Sequence, residues 1–104
     1  MNKTKSSAQP VPEIDLQPNG EQRSVSLGTY NDARAPLGFV VTLDRVPCPL
    51  GSVITKVDDL GTAQRHRFVL QIANYSAQPV HASVRPFFRE VTPAADSLVI
   101  DRGK

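Results

Sequence analysis

The chain is written almost throughout in short runs whose apolar residues alternate, and this period of two constrains its fold more than any other feature. "GFVVTL" sets Phe39, Val41 and Leu43 on one side, with Val40 and Thr42 on the other. "SVITKV" likewise sets Val53, Thr55 and Val57 against Ile54 and Lys56. "RSVSLG" aligns Val25 with Leu27, "RFVLQIA" aligns Phe68, Leu70 and Ile72, and "VHASV" aligns Val80, Ala82 and Val84. Successive side chains of an extended strand point to opposite faces, so each run reads as a strand with one face for a core. β-Branched and aromatic residues fill the runs, and Gly, Pro, Asp and Asn separate them. No stretch carries a convincing apolar stripe at helical spacing. In the last segment, "TPAADSLVIDRGK", Thr92 and Pro93 offer a helix start, whereas Leu98, Val99 and Ile100 offer a strand core. A final short strand is the expectation.

A chain of 104 residues holds one small domain. A single sheet would leave one apolar face wet, so two packed sheets are the economical solution. The expected fold is all-β: a small antiparallel β-sandwich of six to seven strands over residues 23–104. Residues 1–22 are polar and punctuated by Pro10, Pro12 and Pro18, and they read as a flexible N-terminal arm. Within the arm, Ile14 and Leu16, flanked by acids, offer a short added strand or a docking peptide as the alternative.

The strand–"ANYSAQPV"–strand passage resembles the late hairpin of immunoglobulin-like and fibronectin-type modules, over about 20 residues. That resemblance implies a β-sandwich and an adhesive, spacer or assembly role. The tryptophan and paired cysteines of antibody-type domains have no counterpart, since the sequence holds no Trp and one Cys. If Phe68–Ala73 and Val80–Phe88 form this hairpin, apolar residues oppose one another when Ile72 pairs with Ala82, Leu70 with Val84 and Phe68 with Pro86. A slip of one residue would bring His81 into the core opposite Ile72. The favoured register leaves Tyr75 to Pro79 as the loop. It sets His66 and His81 on opposite faces, about seven residue pairs or roughly 23 Å apart. They are then too distant to share a metal or act as an acid–base pair.

The same register gives one outward face Val40, Ile54, Val69 and Phe87, interleaved with Arg67, His81 and Arg85. Val69 would oppose Arg85, and Arg67 would oppose Phe87 within cation–π reach. Apolar residues mixed with arginine have the composition of an interface core, which makes Val69, Phe87, Arg67, Arg85 and His81 the candidate protein interface. Scattered exposure, or cover by the arm or the last strand, would account for these residues equally well.

Other motifs point away from chemistry. Cys48 lies in "RVPCPLG", where only Arg45 is near enough to activate a thiol, and it reads as a loop cysteine. Asp58 and Asp59 are chain neighbours in "KVDDLGTAQ" and should diverge at a turn instead of converging on a substrate. "NYS" at Asn74–Ser76 fits a glycosylation sequon and reads as a turn. No glycine-rich phosphate loop, metal-ligand set or Ser–His–Asp constellation can be placed, so no cofactor is expected.

The net charge is +2 with basic residues scattered singly, which argues against nucleic acid as a partner. No apolar run approaches the ~20 residues that span a bilayer, and the first residues lack the apolar core of a secretory signal. As written, the chain reads as cytoplasmic; an export signal missing from the sequence would leave the same appearance. The expected function is a non-catalytic module that binds another protein or itself, as an assembly component. A small-ligand or carbohydrate binder is the alternative, and an enzyme with a site not visible in sequence comes third.

Overall fold

The computed structural model describes residues 12–44, 50–92, 94 and 96–101, and in it the alternating runs become seven strands. They are β1 (Glu13–Leu16), β2 (Glu21–Asn31), β3 (Gly38–Asp44), β4 (Val53–Asp59), β5 (Arg65–Asn74), β6 (Val80–Phe87) and β7 (Ser97–Asp101). Short 3-10 turns at Asp32–Arg34 and Leu50–Ser52 are the only helical segments among the described residues. One sheet has four strands in the order β1-β6-β3-β7, and the other has three in the order β2-β5-β4. Every pairing is antiparallel. The two sheets pack together as a small β-sandwich.

Alternation fills the core. Phe39, Val41 and Leu43 of β3, Val53 of β4, Phe68, Leu70 and Ile72 of β5, and Val80, Ala82 and Val84 of β6 join one buried cluster. Phe39 and Phe68 meet edge to face across the sheets, with ring centres 5.4 Å apart. β2 keeps its apolar residues inward through a bulge between Ser26 and Gly28, where Leu27 is the extra residue. Val25 and Tyr30 then pack against the cluster from either side of it.

Two expectations are corrected. β5 and β6 are not a hairpin: β5 lies between β2 and β4, and β6 lies between β1 and β3 in the other sheet. Tyr75 to Pro79 is therefore a crossover between sheets, and Ile72–Ala82, Leu70–Val84 and Phe68–Pro86 are not register partners. The inward residues are nevertheless those read from the sequence. A strand's apolar face needs apolar neighbours whether they come from its own sheet or from the facing one.

The second correction concerns the arm. Glu13–Leu16 already belong to the sandwich, ahead of Arg23, because β1 pairs with β6 and inserts Ile14 (3% exposed) and Leu16 (0%) into the core. Two alternating apolar residues suffice for an edge strand when β6 already presents an apolar slot. Residues 1–11 and Cys48 lie outside the described residues. The final segment forms the strand β7, as expected.

Asn74 ties the two sheets together at one end. It is fully buried, and its Nδ2 donates toward the carbonyls of Gln78 (2.8 Å), Gln17 (3.2 Å) and Leu16 (3.4 Å). Its Oδ1 accepts from the Ser76 amide at 2.9 Å and the Ser76 hydroxyl at 2.7 Å. Its backbone carbonyl accepts from Gly20 in the β1–β2 turn, where Asn19 (φ 70°) and Gly20 (φ 94°) adopt the left-handed region.

Candidate functional site

The five residues expected to share an interface do not meet. Arg67 and Val69 lie on β5, on the outer face of the three-stranded sheet, whereas His81, Arg85 and Phe87 lie on β6 in the other sheet. Val69 is opposite Ser26 and Asp58, and Arg67 is opposite Thr29. Arg85 is opposite Val40, and Phe87 is opposite Gly38. A Cβ on Gly38 would lie only 2.8 Å from the Phe87 ring, so the ring is seated directly on the Gly38 backbone. Phe87 and Val40 are buried within the chain, at 6% and 2% exposure, although they stand apart from the main core cluster. They are closed to a partner. The premise that failed was the β5–β6 pairing, which had joined two opposite surfaces into one.

The outer face of the three-stranded sheet keeps an accessible apolar site. Its rows, read across β2, β5 and β4, are Gln22–Ala73–Ile54, Ser24–Gln71–Lys56 and Ser26–Val69–Asp58. Ala73 is the small residue in its row, and the sheet is hollowed there. The resulting concavity of ≈ 250 Å³ is lined by Gln22, Ile54, Lys56, Gln71, Ala73 and Tyr75, among others. Ile54 and Tyr75 stand at its margin, 54% and 57% exposed. Gln71 is held by the Ser24 hydroxyl, which donates to its Oε1 at 2.7 Å. Ile54 is visible in the sequence as an outward apolar residue. Tyr75, Gln22 and Gln71 are not, since their meeting depends on strand order.

The histidines occupy two separate clamps. His66, at the end of β5, has Nδ1 2.5 Å from Asp59 Oδ2 and Nε2 2.7 Å from Asp32 Oδ1. His81, on β6, has Nδ1 2.8 Å from Asp15 Oδ1 and Nε2 3.0 Å from Glu13 Oε1. Each imidazole thus faces a carboxylate at both nitrogens, and only the doubly protonated ring can donate to both. His66 also lies parallel to the Phe68 ring at 5.8 Å. Its hydrogen bond to Asp59 is the main reason that carboxyl is held below its ordinary range, against the opposing effect of burial; the Gly61 and Arg67 amides act with it. Asp58 points the other way, 3.5 Å from Lys56, so the adjacent aspartates diverge.

These clamps have no vacant ring nitrogen for a general base or a metal ligand. Among the described residues no three His, Cys, Asp or Glu side chains are grouped to hold a metal ion. The Asn74 amide, the atom a glycan would occupy in "NYS", is buried and committed to three carbonyls.

Among the described residues, fold and surfaces define the class: a seven-stranded, two-sheet β-sandwich with a hollowed outer face and two histidine–carboxylate clamps. No protein-family model, curated protein or solved structure matches the chain. Among the described residues no helix is long and apolar enough to cross a membrane.

Proposed function

We propose that this chain is a non-catalytic binding module that engages another protein surface through the outer face of its three-stranded sheet. The observation that carries this reading is the exposed pair Ile54 and Tyr75 standing over an Ala73 floor, with Gln71 and Lys56 beside them. Apolar and aromatic residues surrounded by polar groups have the make-up of an interface centre and rim. The concavity of ≈ 250 Å³ is smaller than the ~300–1,000 Å³ typical of ligand pockets. It suits a side chain from a partner surface better than an enclosed small molecule. The candidate interface is therefore Ile54, Val69, Tyr75 and Arg67, without Phe87, Arg85 or His81.

Ile54→Asp tests the proposal. Sedimentation velocity over a concentration series reads self-association, and paired wild-type and variant baits read binding to another protein. Association retained by wild type and lost to the variant, with an unchanged melt, supports it. Equal association by both proteins refutes it.

A further inference from the structure

We propose that His81 is a protonation latch on the N-terminal strand. As an imidazolium it grips β1 through Glu13 and Asp15, and on losing its proton it lets β1 open away from β6. The inference goes beyond the binding face, which lies on the other sheet.

The geometry is specific to β1. Glu13 and Asp15 are alternate residues of one strand, and β1 pairs with β6 so that Asp15 is directly opposite His81. Their side chains converge on the two nitrogens of one ring, at 3.0 and 2.8 Å. The His81 side chain is only 16% exposed, against 61% and 66% for Glu13 and Asp15, so the cation is sheltered and its partners reach in from solvent. A neutral ring keeps one N–H and must turn a lone pair toward the other carboxylate, so one attraction becomes a repulsion.

Other charged residues lie along the strands beside His81. On β3 its register partner is Asp44, and along β6 the next charged residue is Arg85. From β2, Arg23 donates to the Asp15 carbonyl at 3.2 Å, a second attachment of β1. The carboxylates on the ring itself, Glu13 and Asp15, both come from β1.

β1 is also where a lost contact has most effect. It is a four-residue edge strand, and among the described residues its sheet partner is β6. Opening it uncovers the slot of Ile14 and Leu16. Their burial keeps the opened state a minor one, so the latch sets how often the strand opens and not whether the domain folds. His66 provides an internal comparison, because its clamp joins Asp32 and Asp59 at the end of the other sheet.

The test is hydrogen exchange followed residue by residue by NMR on the full chain between pH 5.5 and 8.5, expressed as protection factors. The amides of the β1–β6 pairing should lose protection about tenfold or more as pH rises through the ordinary imidazole range. Amides of the β3–β7 pairing should change much less. His81→Gln should abolish the difference, with β1 protection low and independent of pH, whereas His66→Gln should leave it intact. If His81→Gln does not fold, Asp15→Asn and direct titration of the wild-type His81 ring take its place: β1 amide shifts must follow the ring's own titration. Protection of β1 that is flat with pH, or that falls equally in His81→Gln, overturns the latch.

Discussion

Asn74 shows how much can rest on one buried amide. It satisfies carbonyls from the end of β1, the β1–β2 turn and the β5–β6 crossover at once. Asn74→Ala should cost at least ~1–3 kcal/mol in urea unfolding, the usual penalty for leaving a buried polar partner unsatisfied. Asn74→Asp should cost more at neutral pH, since a carboxylate would face carbonyl oxygens, and part of the loss should return as pH falls and the acid can donate. Asp59 makes a second, separable prediction. Its carboxyl is held below the ordinary range in the folded state, chiefly by His66. Its stabilising contribution is therefore present above the normal carboxylate range and is lost as pH falls through the lowered folded value. Asp59→Asn should flatten the acidic side of the stability–pH profile.

β1 is the element on which composition misled most. A proline-punctuated polar segment reads as a tail, and only Ile14 and Leu16 betray the strand within it. Removing residues 1–16 should lower the thermal midpoint markedly. Burying an aliphatic side chain is worth about 1.5–3 kcal/mol, and each 1 kcal/mol shifts the midpoint of a domain of this size by about 4–8 °C. Differential scanning calorimetry measures this; a midpoint unchanged by the truncation would contradict the buried positions of Ile14 and Leu16. β5 teaches the complementary lesson. Its pattern marks Phe68, Leu70 and Ile72 as core residues, and they are, at 0%, 0% and 2% exposure. Leu70→Ala should accordingly cost about 2–5 kcal/mol. The same pattern carries no information on whether the partner is β2, β4 or β6.

The two faces of the sandwich differ in what they leave open. On the four-stranded sheet Val40 and Phe87 are buried and Val99 is 38% exposed, whereas Ile54 on the three-stranded sheet and Tyr75 beside it are 54% and 57% exposed. If the latter sheet is the binding face, Val69→Asp should weaken association by more than ~2 kcal/mol, about thirtyfold, because it places an unpaired charge within the patch. The melt should change little, since Val69 points away from the core and is only half buried. Light scattering beside a thermal melt reads both, and a collapsed melt would place Val69 among the structural residues. Arg85→Ala, on the opposite sheet, should leave association unaltered.

Which side of β2 to β6 faces inward was legible because period two belongs to a single strand and needs no knowledge of its neighbours. That pattern also sufficed for the all-β class, the approximate strand number and the divergence of Asp58 from Asp59. Strand order was not legible, and everything resting on it shifted: the supposed interface divided, and the hollow at Ala73 emerged. Each histidine gained two carboxylates, with Asp32 coming from 34 residues away and Glu13 from 68. Such meetings depend on which sheet a strand joins. That choice is made by the packing of both sheets at once, and a strand's own residues encode only the demand for an apolar neighbour.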